Sequence, residues 1–309
     1  MKEATNLFFL GKGGVGKSTS AALTALFLSQ RGSRVLMVSL DPAHNQSDIF
    51  ERALADKPVE IAPRLTAIEI DQESWIRTYL REVHRQINRT YSYLTAFNLE
   101  KYFGVIKHSP GLEEYALILA FEKIRRDFIH WDYLIFDMPP TALALKFFSL
   151  PSLSLVWVDH LLALRREIIE KRELITKITV FAKEFERDKV LNKIEEQRRQ
   201  YQSLKEVFQN TAKTQAFLVL NPDKLSHAES LRIFNALKEI DIHLYRTIYN
   251  KRPLNKSCAE IAPVFAEIPM LNFPYSETPL IGMSSLKQFL AANADVLETQ
   301  LNVCEANDG

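Results

Sequence analysis

The sequence predicts an α/β fold: a doubly wound, mostly parallel sheet with an inserted helical region. Three observations carry that expectation. Short apolar runs alternate with helix-forming stretches, as parallel strands joined by helical crossovers require. The runs are apolar almost throughout, as strands buried on both faces must be. From Ser152 to Asn221 there is neither glycine nor proline, which leaves room for long helices.

In chain order, residues 6–10 form a first strand, and a helix over 18–31 closes at Gly32. Arg34–Leu40 reads as a second strand ending at Asp41-Pro42. Arg64–Ile70 reads as a third, with an alternation that suggests a sheet edge. Helical periodicity runs from Asp71 to about Phe97 and from about Leu112 to Phe128, around a loop at Pro110-Gly111. Trp131–Asp137 is an apolar strand ending in an acid. Apolar residues then recur at Leu161, Leu164, Ile168, Ile175 and Ile178, and again at Leu191, Ile194, Tyr201, Leu204 and Phe208. These spacings predict two amphipathic helices, with a break in the charged stretch 184–189. Strands follow at 216–220, 244–250 and 270–273. A helix over 226–239 is expected to be capped by Ser226 with Glu229 three residues on, and a last helix to run from about Ser284 to Leu301. The whole of 1–309 reads as one domain, with a helical subdomain drawn from about 71–130 and 152–210.

Between the first strand and its helix lies Gly11-Lys12-Gly13-Gly14-Val15-Gly16-Lys17-Ser18-Thr19, which holds four of the chain's nine glycines. Gly11, Gly16, Lys17 and Ser18 satisfy G-x-x-x-x-G-K-[ST] in the strand–loop–helix context that a phosphate-binding loop needs. Glycine permits close approach and positive φ, so successive N–H groups can turn around an anion. This is the loop of a P-loop NTPase. Backbone N–H groups from Gly11 to Thr19, Val15 among them, would hold the phosphates. Lys17 would reach the β/γ oxygens, and the Ser18 hydroxyl would bind Mg²⁺. Lys12 either reaches across a dimer to the neighbouring nucleotide or is a solvated loop lysine.

Two further acids stand at strand ends. Asp137 has the form of the metal-site carboxylate, holding Mg²⁺ usually through water. Asp41, in a loop beside the phosphate loop, could orient an attacking water, although a strand-end acid is often only a cap. His44 is ambiguous.

Composition narrows the classes. Apolar residues make up 47% and charged residues 25%, and the formal net charge of +1 argues against a nucleic-acid-binding face. Cys258 and Cys304 form neither a disulfide framework nor a zinc motif. No run reaches roughly 18 uncharged apolar residues, and no leader is expected before the first strand. The expected location is the cytoplasm, with transient membrane contact.

Taken together these segments resemble the ArsA family of "deviant" Walker A ATPases. The resemblance rests on Lys12–Ser18, on Ser39–Phe50, on Phe136–Thr141 with Leu145–Pro151, on Ser109–Glu114, and on Glu277–Gly282. It implies ATP as the nucleotide, Asn250 as the adenine-reading residue, and a homodimer that opens and closes with ATP. The family includes arsenical pump-driving ATPases and the ATPase that delivers tail-anchored membrane proteins, so a protein or membrane-associated client is expected. Departures leave the cargo open. The arsenite cysteine trio is missing, as is the C-x-x-C zinc motif that tail-anchor targeting members share across their dimer. No Met lies between Met138 and Met270, and Leu143 replaces a histidine. The leading expectation is an ATP-hydrolysing dimeric switch. The alternatives are an ATPase energising an oxyanion efflux pump and a MinD- or ParA-like surface organiser.

Overall fold

The computed structural model describes residues 3–43, 45–90, 111–176, 188–252, 265, 267–294 and 298. One eight-stranded sheet has the order β3-β4-β2-β5-β1-β6-β7-β8. Its strands are β1 (Thr5–Leu10), β2 (Val35–Ser39), β3 (Val59–Ala62), β4 (Leu65–Glu69), β5 (Tyr133–Asp137), β6 (Thr214–Leu220), β7 (Leu244–Arg252) and β8 (Met270–Pro274). Every pairing is parallel except β3 with β4. The helices are α1 (Lys17–Gln30), α2 (Asn45–Phe50), α3 (Gln72–Thr90), α4 (Leu112–Asp127), α5 (Thr141–Thr176), α6 (Lys189–Gln209), α7 (Lys224–Glu239) and α8 (Gly282–Ala292).

The apolar strands are buried on both faces, which is why they lack alternation. On one face Leu7, Phe9, Met37, Ile135 and Phe217 pack with Ala22, Leu26 and Leu286 from α1 and α8. On the other, Phe8 stacks on Phe136 at 4.9 Å between ring centroids, and Phe121 and Phe147 close the group edge-on. Central β1 lies between β5 and β6, so the loop that follows it opens at the carboxyl edge of the sheet, where open α/β folds bind ligands.

The chain divides into two compact units, 1–147 with 211–309, and 148–210. The first contains the whole sheet, and α3 and α4 fall within it. In the second, α5 and α6 share a core of Val158, Leu162, Ile169 and Leu191, with Ile194 and Tyr201 against it. Asp188 caps α6 by accepting from the Val190 and Leu191 N–H groups, both at 2.9 Å, and pairs with Arg165 at 2.8 Å.

Several expectations need correction. Strand β4 is not an edge, because antiparallel β3 covers it. The α7 cap is Asp223, which accepts from Ser226 N–H at 2.8 Å, while the Ser226 hydroxyl accepts from Asn221 N–H. Leu164 and Ile168 are exposed and not on the buried face. The stretch Thr141–Lys171 is long and apolar enough to cross a membrane by length and composition, with only 33% of its most apolar 18-residue window buried. Cys258, Cys304, Ser109, Pro110 and His44 lie outside the described residues.

Candidate functional site

The carboxyl ends of β1, β2, β5, β7 and β8 bring the predicted residues around one edge of the sheet, and a cavity of about 790 Å³ opens there. It is lined by Gly13, Gly14, Gly16, Lys17, Ser18 and Thr19 from the loop, Asp41 from the end of β2, Asn250 from β7, and 274–281 after β8. Gly11 and Val15 are buried behind the loop, and Lys12 is half-buried outside the lining.

Backbone geometry explains two of the glycines. Gly16 has φ of 92° and caps α1 with no side-chain hydrogen bond, so the first-turn N–H groups of α1 remain open to an anion. A Cβ on Gly16 would also run into the Asn250 amide, and one on Gly11 into the Val219 carbonyl. Asn250 donates to the Val15 carbonyl at 2.7 Å, so the end of β7 is fastened to the phosphate loop.

Lys17 is only 5% exposed, and its Nζ donates to the Lys12 carbonyl at 3.3 Å. Burial pushes the Lys17 pKa down, with Asp137 and Asp41 opposing the shift. Asp137 is fully buried between Phe9 and Ser39 in register. Desolvation pushes its carboxyl up to about 6, against hydrogen bonds from Ser18 and Gln46 and the charge of Lys17. Asp41 is nearly buried and accepts from the Ala43 N–H at 3.0 Å, which shapes the turn at Asp41-Pro42.

Helix α2 was not expected from the sequence, and two of its side chains anchor this site. Gln46 Nε2 donates to the Ser18 carbonyl at 3.0 Å and to Asp137 Oδ2 at 2.9 Å. Ser47 donates to the buried Glu69 carboxylate twice, from N–H at 2.8 Å and from its hydroxyl at 2.6 Å. Six residues beginning with four polar ones give no periodic signal for this helix. The arrangement offers a preformed anion cradle, a buried cation and two carboxylates, the set that phosphoryl transfer uses.

The family profile for the anion-transporting ATPases matches residues 4–292. The chain belongs to the ArsA family of anion-transporting ATPases. It is similar to putative arsenical pump-driving ATPase 2 of Aquifex aeolicus, with 29% identity over 91% of this chain and 96% of the relative. It is also similar to putative arsenical pump-driving ATPase 1 of the same organism, at 30% over 91% of this chain and 76% of that one. The ATPase ASNA1 homolog of Plasmodium vivax is 29% identical over 83% of this chain and 66% of its own length. This ArsA-family chain is an ATP-hydrolysing enzyme with a P-loop α/β fold.

Proposed function

We propose that this ArsA-family ATPase is a Mg²⁺-dependent dimeric switch that binds an apolar α-helical segment of a client protein on α5. The observation that carries it is a second apolar face on that helix. Leu153, Trp157, Leu164 and Ile168 follow one another at spacings of four, seven and four, and are exposed, Leu153 and Trp157 each at 65%. Val158, Leu162 and Ile169 occupy the adjoining, buried face. From Leu153 to Ile168 the stripe is about 22 Å long, enough to accept one apolar helix. Large contiguous apolar exposure on a soluble protein marks an interaction surface. The resemblance to the family branch that delivers tail-anchored membrane proteins favours a protein client.

At the nucleotide, the loop N–H groups and Lys17 hold the phosphates, and Asp41 orients the attacking water. Ser18 and Asp137 suit Mg²⁺: a hydroxyl and a carboxylate are hard oxygen ligands, and Asp137 Oδ1 is buried with no described partner. The cation would supply charge neutralisation on the phosphates. Asn250, beside the loop, is assigned to the adenine. Pro140 lines the cavity, and α5 begins at the next residue, Thr141. The reading places the protein in the cytoplasm, visiting membranes with its client.

A fluorescent Leu/Ala-rich helical peptide, added to the ATP-loaded protein, checks this by anisotropy. Saturable binding, weakened at least about tenfold in Trp157→Ser/Leu164→Ser, is expected because each exposed anchor removed costs about 1–2 kcal/mol. Absence of binding, or partition into lipid vesicles without peptide binding, would sink the proposal. The names of the Aquifex relatives favour an oxyanion-pump reading, which predicts arsenite-stimulated turnover instead.

A further inference from the structure

Two buried oxygens in this site have no hydrogen-bond partner among the described residues, Asp137 Oδ1 and Gln46 Oε1. They sit on side chains already joined by a hydrogen bond of 2.9 Å. Both side chains are completely buried. Burying an acceptor without a donor costs free energy comparable to a lost hydrogen bond, so two orphans on hydrogen-bonded neighbours call for a donor that can serve both. The described donors do not reach Gln46 Oε1, and the Ser18 hydroxyl and the Lys17 ammonium act on Asp137 without giving its Oδ1 a hydrogen bond. Gln46 Nε2 serves Ser18 O and Asp137 Oδ2, and Ser47 is committed to Glu69.

Water on a divalent cation is a donor of the right kind. The cation polarises its O–H bonds, and Mg²⁺ keeps several waters when bound. We propose that Gln46 is a positioning residue of the metal site, its amide N–H fixing the Asp137 carboxylate and its carbonyl oxygen accepting from a cation-bound water. This rests on the reading of Ser18 and Asp137 as the Mg²⁺ site. Its consequence is a link between metal and α2. Ser47, next in sequence, is clamped to Glu69, so Gln46 is held on an anchored helix. That helix follows directly on the Asp41 turn. Loading the cation would therefore fix α2, and with it the exit of the Asp41 loop. Partners that orient metal ligands in this way typically account for 10–100-fold in metal affinity.

The test uses Mn²⁺ as the probe, titrated into the full chain with saturating ADP and followed by electron paramagnetic resonance. Gln46→Leu, which keeps bulk and removes both polar ends, is expected to weaken Mn²⁺ about 10–100-fold, with ADP affinity in EDTA unchanged. Gln46→Asn keeps the amide but shortens its reach, and gives the same direction of change should the leucine variant fold poorly. Asp137→Asn in parallel separates the two readings. If it abolishes the Mn²⁺ site while both Gln46 variants bind Mn²⁺ like wild type, the metal site stands and the role of Gln46 is overturned. If Asp137→Asn leaves Mn²⁺ binding intact, the metal-site reading and this proposal fall together. A merely structural Gln46 would lower ADP affinity equally with and without metal, which also overturns the proposal.

Discussion

Asn250 holds the Val15 carbonyl at 2.7 Å, and the same amide occupies the space a side chain at Gly16 would need. Gly16 also has φ of 92°, a conformation that costs an L-residue on the order of 1–3 kcal/mol. Gly16→Ala should therefore lower the melting temperature and abolish ATP binding. Adding Asn250→Ala removes the steric conflict but not the backbone strain. The double variant should recover part of the stability and none of the binding, as read by thermal denaturation and titration calorimetry. Wild-type ATP affinity in Gly16→Ala would show that the loop does not need this geometry.

Lys17 is a buried cation whose pKa burial depresses, and its described hydrogen bond is to a neutral carbonyl. Phosphate oxygens would give that charge its missing partner. Truncating one side of a buried charge pair costs about 2–5 kcal/mol, so Lys17→Ala should weaken ATP binding by roughly 10²-fold or more. The melting temperature of the nucleotide-free protein should not fall, because an imperfectly paired buried charge is lost. Calorimetry and denaturation on the same sample give both numbers. A large fall in stability would mean that Lys17 supports the loop and not the ligand.

The parts legible in the sequence are those set by strong local chemistry. Glycine clustering marks the loop, and apolar runs mark β1, β2 and β5, because strands buried on both sides admit little else. The edge strand β3 leaves little trace: it has four residues, pairs antiparallel and is only partly buried. Helix α2 is hidden because six mostly polar residues carry no measurable period. Ser226 fits the capping pattern with Glu229, but Asp223 three residues earlier reaches its N–H. Periodicity finds the apolar positions of α5 but does not say which face is covered. Two apolar faces about 130° apart look like one broad stripe until α6 is in place. Gln46 has no signal, since its role exists only once β1, β2 and β5 stand side by side.

Asp137 gives the site a pH signature. Its carboxyl titrates at about 6 in the fold, against an ordinary value of 3.8, mainly through burial. The folded state thus binds a proton more tightly than the unfolded one, and stability is lost as pH rises from about 4 through 6. Above that window the cost is on the order of 2–3 kcal/mol. Asp137→Asn removes it, so the nucleotide-free, metal-free variant should be the more stable at pH 7 and nearly equal to wild type at pH 4. Chemical denaturation midpoints across that range decide it. A difference that does not change with pH would assign the effect to packing.

The last prediction concerns the proposed dimer. Lys12 is half-buried at the start of the loop, outside the cavity that Lys17 and Ser18 line. In the proposed dimer its ammonium would reach the nucleotide of the neighbouring protomer, where positive charge would meet the charge that shifts during phosphoryl transfer. Cations supplied in trans this way are worth roughly 10³–10⁵-fold in rate. Lys12→Ala should then reduce turnover far more than ATP affinity. Asp41→Asn should do the same for a different reason, because orienting water matters in the transition state and not in the bound ground state. Mixing the two inactive proteins separates trans from cis. In a mixed dimer, the protomer with intact Asp41 receives an intact Lys12 from its partner, and one complete site forms. At equal mixing about half the dimers are mixed, so turnover per site should return to about one quarter of wild type. If mixed dimers demonstrably form and the mixture stays inactive, Lys12 acts on its own nucleotide.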